Sequence, residues 1–215
     1  KKSESKTVQG IISESSDNIA DVMKRTSRIY ENVISGLAKQ DAQKLKKSKK
    51  QIAKLEAEVE ELRNHLFYFI KNLHETSVRG SNFYITVLAY LTDVAQSLEY
   101  IAKKSYKHVD HNHKPLRYNQ IKDLQEIQAF ISELLTKIEK IFSDKDFKQL
   151  ELVLKSRKEA LDLISTKIDE QISRTRTEES SPKNTTLYFN LLLETKDLVK
   201  SVMNVSEEYH TSAKN

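Results

Sequence analysis

The sequence lacks cysteine and tryptophan altogether, and it has only three glycines and two prolines among its 215 residues. Average usage would supply roughly 15 glycines and 11 prolines. Because tight turns between strands favour both residues, their scarcity predicts long helices joined by few loops. The absence of cysteine excludes disulfides, thiolate metal sites and a cysteine nucleophile, and it suits a reducing compartment.

Long apolar runs are also missing. The longest uncharged run, residues 80–92, covers 13 residues and includes Ser, Asn and Thr, whereas a membrane-spanning helix needs about 20. No signal peptide is apparent. The chain begins with Lys1 and its first methionine is Met23, so we expect it to be a segment of a longer protein.

Charge is abundant but nearly balanced, with a net charge of +5. The one local excess is the stretch "KLKKSKKQIAK" (44–54), which indicates either a solvated helix face or a contact for anionic lipid head groups or an acidic partner. Neither aromatic residues nor arginines are interleaved with these lysines, which argues against nucleic acid. The lysines concerned are Lys44, Lys46, Lys47, Lys49, Lys50 and Lys54.

Apolar residues recur in steps of three and four through nearly the whole chain. This spacing predicts an all-α fold of six long antiparallel helices. Asp144 is expected to cap the fifth helix, and Ser181 followed by Pro182 indicates the N-cap and first residue of the sixth. The residues predicted to separate or cap the other helices are Gly36, Asp41, Gly80, Ser81 as an N-cap, and Pro115.

The second half of the chain repeats features of the first. A shift of 104 residues places Asp93 on Asp197 and Ser97 on Ser201, together with several apolar pairs. Apolar matches are expected between any two amphipathic helices, so the two polar identities carry the argument. We therefore predict two tandem three-helix bundles, residues 1–114 and 115–215.

The stretches "AYLTDVA" (89–95) and "LETKDLV" (193–199) resemble the motif on the third helix of each repeat in the PhoU family of phosphate-signalling proteins. Asp93 and Asp197 match the aspartate of that motif. Ala89 and Leu193 stand where the family has a glutamate, which puts the family's metal clusters in doubt here. The stretch "SLEYIAKKSYKHVDHNHKPL" (97–116) is similar to the PhoU-like domains behind the membrane part of bacterial sodium/phosphate cotransporters.

The resemblance implies a regulatory domain on the cytoplasmic side of the inner membrane, which modulates phosphate uptake through contacts with the transmembrane part of its own polypeptide. One alternative is a stand-alone helical adaptor that binds a protein partner or an anionic membrane surface. Another is a PhoU-type regulator of a phosphate ABC transporter. We expect no cofactor, and oligomer formation is left open.

Two groups of polar residues are candidates for a site. His108, His111 and His113 are either weak metal ligands or the ordinary cationic end of a helix. Asp93 and Asp197 are expected on apolar seams, where a carboxylate needs a Lys, Tyr or Ser partner or a metal. We expect the protein partner and no metal. No nucleophile elbow, glycine-rich phosphate loop or HExxH motif is present, so the sequence predicts no enzyme.

Overall fold

The computed structural model describes residues 8–71, 78–178 and 181–214, with the side chains of all these residues except 8 and 66–70. Helices make up 92% of the described residues, which include no strand. The predicted all-α fold is therefore confirmed. None of the described helices combines the length and the apolar character needed to cross a bilayer.

The described residues form seven α-helices and one 3-10 turn. The prediction of one continuous fifth helix is wrong, because a turn at Ser156 divides it into two helices. At this turn the Ser156 amide donates to the Val153 carbonyl at 2.9 Å. The predicted cap at Asp144 is also wrong, because a 3-10 turn precedes the first of these helices. The helices are α1 (Val8–Ala38), α2 (Ala42–Lys71), α3 (Val78–Asp110), α4 (Tyr118–Asp144), α5 (Leu150–Lys155), α6 (Arg157–Thr177) and α7 (Pro182–Ala213), with the 3-10 turn at Phe147–Gln149.

One hydrophobic core runs through both halves of the chain. The most extensive helix packing joins α1 to α4 and α3 to α7, and α2 lies against α3 and α1. On the other flank α5 and α6 both pack against α7. The boundary proposed between residues 114 and 115 falls in the joint between α3 and α4. The two halves share their core, and their division into repeats stays a prediction.

The helix caps are partly those that the sequence predicts. Asp41 caps α2, since its Oδ1 accepts a hydrogen bond from the Lys44 amide at 3.1 Å. Ser181 caps α7, with Pro182 as the first helical residue. Ser81 is not an N-cap, because α3 already begins at Val78, and Gly80 likewise lies within that helix rather than between helices.

Gly36 lies inside α1 and allows α2 to approach closely. A Cβ atom at this position would lie 2.9 Å from Cγ of the buried Leu45. α1 ends at Ala38, and Gln40, two residues later, has a φ of 51° in the left-handed region used after helix C-termini. The Asp41 amide then donates to the Gly36 carbonyl at 2.8 Å.

Candidate functional site

Two joints between helices and the start of α7 meet at one end of the bundle. Nε2 of Gln40, between α1 and α2, donates to the His113 carbonyl at 3.5 Å. Nδ2 of Asn184, in the first turn of α7, donates to the Pro115 carbonyl at 2.8 Å. The α1–α2 joint, the α3–α4 joint and the first turn of α7 therefore form one continuous surface, which brings together segments far apart in sequence.

This end of the bundle carries a large excess of positive charge. Its described residues (39–50, 103–122, 172–178 and 181–186) include fifteen Lys and Arg but only three Asp and Glu. We call these residues the basic end. Its excess of twelve positive charges exceeds the +5 of the whole chain, so the remainder of the chain is net negative. The molecule is thus electrostatically polarised along its length.

The lysine-rich segment contributes one side of the basic end. Lys46, Lys47, Lys50 and, one turn further, Lys54 are exposed. The other two predicted contact residues are engaged within the protein: Nζ of Lys44 donates to Ser35 Oγ at 3.0 Å, and Nζ of Lys49 lies 4.5 Å from the Tyr106 ring centroid. Five of the six lysines are therefore exposed on α2, and the four without such a contact, Lys46, Lys47, Lys50 and Lys54, are available to an anionic partner.

An open cavity of about 350 Å³ lies within the basic end, between the last turns of α3, the α3–α4 joint and the first turns of α7. Three lysines and two histidines line it, together with apolar and uncharged polar side chains. None of the described residues that line it is acidic. The lining residues are Lys104, Lys107, His108, His113, Pro182, Lys183, Thr186, Leu187 and Asn190.

The histidines occupy the C-terminal turn of α3 and the joint after it. Buried His108 points Nε2 at the Lys114 carbonyl at 2.9 Å; because a carbonyl only accepts, this nitrogen carries the proton. Asn112, with a φ of 55°, turns the chain so that the His113 ring lies 5.1 Å from the His108 ring. Burial lowers the pKa of His113, and the charges of Lys183 and of neighbouring histidines and Lys107 lower it further.

This arrangement does not gather ligands for a metal. No three histidine or carboxylate side chains of the described residues are grouped as they would be around an ion. Nε2 of His108 is also engaged by a carbonyl, and the nearby lysines repel a cation. His111 is exposed, with its ring centroid 6.0 Å from that of His113. The histidines lie at the lysine-rich C-terminal end of α3, and the expectation that they bind no metal stays a prediction.

The expectation that Asp93 and Asp197 lie on buried seams is wrong. Both are exposed, as are Ala89 and Leu193 one turn earlier. The buried stripe of α3 passes instead through Leu91, Val94 and Leu98 and their neighbours, and Asp93 lies on the opposite side of the helix. Water solvates these carboxylates, so neither a partner across the bundle nor a metal is needed.

A buried charged cluster, which the sequence analysis missed, joins α4, α6 and α7. Asp123 accepts hydrogen bonds at 2.9 Å from both Arg174 and the Tyr188 hydroxyl, and Nζ of Lys167 lies 3.3 Å from its Oδ1. Burial, with the adjacent Asp123 carboxylate, raises the pKa of Tyr188. The partners lie 51 and 65 residues from Asp123, so no local pattern could have revealed this cluster.

Comparisons with known proteins add no family. No model of a protein family matches the chain, and no curated protein matches it. The resemblance to PhoU-like domains therefore rests on the two motif stretches and the helical organisation.

Proposed function

We propose that this chain is a non-catalytic regulatory module that docks its basic end on an anionic membrane surface. In the context that the resemblance suggests, it is the PhoU-like domain of a sodium/phosphate symporter. Its partner is then the transmembrane part of the same polypeptide, on the cytoplasmic side of the inner membrane. Docking at a defined end orients the module toward that partner, and phosphate uptake is modulated by contact rather than by chemistry.

The charge excess of the basic end is the observation that carries this proposal. Each Lys or Arg near an anionic membrane is worth about 1 kcal/mol, and the attraction falls off within roughly one Debye length. Charges concentrated at one end therefore act together on a membrane that meets that end, whereas the net-negative remainder is repelled. This separation of charge favours one orientation of the module, with its basic end toward the membrane.

Exposed apolar side chains also favour docking through the basic end. Tyr118, the first residue of α4, is 82% exposed, and Ile172 in the last turns of α6 is 42% exposed. Both belong to the basic end. Tyrosine is favoured at membrane–water interfaces because its ring is apolar and its hydroxyl is polar. The basic end therefore offers both charge and interfacial anchors.

Vesicle co-sedimentation tests the proposal. The unmodified chain should bind vesicles that contain anionic lipid and not neutral vesicles, with binding that weakens as salt rises. The triple variant Lys46→Glu, Lys47→Glu and Lys50→Glu should lose most of this binding. The matched control is Lys140→Glu, Lys148→Glu and Lys158→Glu, which makes the same charge change at exposed positions of the opposite end and should retain substantially more binding. Equal binding to both kinds of vesicle, or equal loss in both variants, would overturn the proposal.

A further inference from the structure

We propose that the cavity at the basic end is a binding site for a small anion that bears phosphate groups on an organic body. The ligand lies between the end of α3 and the start of α7. This site is distinct from the lysine-rich face of α2, and its occupation does not depend on docking to a membrane.

Charge is the first reason. Lys104, Lys107 and Lys183 line the same cavity from two helices, and no acidic side chain of the described residues lines it. Lysine ammonium groups act as mobile point charges that suit phosphate. Like charges gathered without a counter-charge repel one another, and a multiply charged anion removes that repulsion. The first turn of α7 also lies at the cavity, where it contributes the positive end of a helix dipole.

The shape and the apolar part of the lining favour an organic ligand over a bare ion. About 350 Å³ lies within the range of small-molecule sites, which are typically about 300–1,000 Å³. Pro182 and Leu187 offer an apolar wall, and Asn190 offers an amide as a specific polar contact. A phosphate group is therefore expected among the lysines, with an apolar or planar body against α7.

Two sources supply this chemistry: a soluble organic phosphate such as a nucleotide, and the phosphate head group of a lipid. Binding of ATP, of pyrophosphate and of a short-chain phosphatidic acid that stays monomeric in solution is measured by titration calorimetry, so that no membrane surface takes part. All three titrations use the full chain at about 0.15 M salt, where long-range attraction is largely screened.

Matched variants separate the cavity from the general charge of the basic end. The cavity variant is Lys104→Gln with Lys183→Gln. The control variant is Lys46→Gln with Lys50→Gln, which removes the same charge from exposed positions of the basic end outside the cavity. Circular dichroism checks that both variants are folded. The cavity variant should bind at least about tenfold more weakly, equivalent to about 1.4 kcal/mol, and the control variant within about twofold of the unmodified chain.

Each outcome decides the matter. Saturable binding of ATP that is tighter than that of pyrophosphate and that only the cavity variant loses supports the site with a soluble organic ligand. Pyrophosphate that binds as tightly as ATP overturns the requirement for an organic body. Binding of phosphatidic acid alone, lost in the cavity variant, supports it with a lipid head group. Equal loss in both variants, or no binding of any probe, overturns it. Vesicle binding by a chain that binds none of the soluble probes overturns the cavity site but leaves membrane docking intact.

Discussion

Lys145 follows the last residue of α4 with a φ of 57°, in the left-handed region that costs a residue with a Cβ roughly 1 kcal/mol. Glycine adopts this conformation without that cost and is favoured at this position after a helix. Lys145→Gly is therefore expected to raise the free energy of unfolding by about 0.5–1 kcal/mol. Urea unfolding at neutral pH, followed by circular dichroism, measures the change.

Lys140→Gly is the control for that substitution. Lys140 is exposed within α4, where glycine costs about 1 kcal/mol relative to a good helix former. The two substitutions remove the same side chain five positions apart and should change stability in opposite directions. If Lys145→Gly destabilises the protein as Lys140→Gly does, the backbone at residue 145 is not left-handed in solution.

Asp123 is the residue on which the buried charged cluster depends. Its side chain is only 10% exposed, and it lies between the side chains of Lys167, 12% exposed, and Arg174, 19% exposed. Removing one partner of a buried ion pair leaves the other charge uncompensated, which typically costs about 3 kcal/mol or more. Asp123→Asn should therefore lower the free energy of unfolding by about 3 kcal/mol.

The exposed Asp162 of α6 provides the comparison for Asp123. Asp162→Asn removes the same charge and should change stability by less than about 0.5 kcal/mol. Chemical denaturation of both variants measures the difference. A loss below about 1 kcal/mol for Asp123→Asn would show that Glu126, which lies 2.8 Å from Lys167, compensates for the missing carboxylate.

At the scale of elements, two glutamates meet where α2 packs on α3. Burial raises the pKa of Glu56, and the charge of Glu99 and a hydrogen bond to it raise it further. A raised pKa means that the folded state favours the protonated carboxyl. The contribution of protonated Glu56 to the free energy of unfolding is therefore fully present below pH 4.5, the ordinary pKa of glutamate. It is lost as pH rises through the raised pKa.

Glu56→Gln should therefore stabilise the protein at pH 7, where the two carboxylates repel each other, by about 0.5 kcal/mol. The gain should vanish near pH 4, since the native glutamate is then protonated. Urea unfolding at both pH values provides the measurement. Glu61→Gln, at an exposed position of the same helix, should show no such dependence. A gain that persists at pH 4 would attribute the effect to packing rather than to charge.

The sequence predicted most elements because local signals determine them. The apolar period marks the helices, and Asp41 and the Ser181–Pro182 pair mark two starts through side-chain capping and proline geometry. The break at Ser156 has no such signal, since neither glycine nor proline accompanies it. Asp93 was misplaced because apolar residues surround it in sequence, and only the packing of α3 against α2 and α7 defines which side is buried.

At the scale of the whole molecule, the basic end was only partly visible in the sequence. The run at 44–54 is a local excess, whereas Lys183 of α7 joins Lys104 and Lys107, which are one turn apart on α3, only through the up-and-down path of the helices. The cavity and the Asp123 cluster depend in the same way on contacts between distant segments. Periodicity therefore predicted the fold class, but the candidate site required the tertiary arrangement.

If the basic end is the part of the bundle that meets the membrane, a fluorescent label at that end should respond to anionic vesicles and a label at the opposite end should not. The chain has no cysteine, so a single introduced thiol accepts an environment-sensitive dye. Tyr118→Cys places it at the basic end and Leu152→Cys at the opposite end; the native residues are 82% and 62% exposed. With anionic vesicles, emission from position 118 should rise and shift to shorter wavelength, while emission from position 152 stays unchanged. Equal responses at both positions, or a response at position 152 alone, would contradict docking through the basic end.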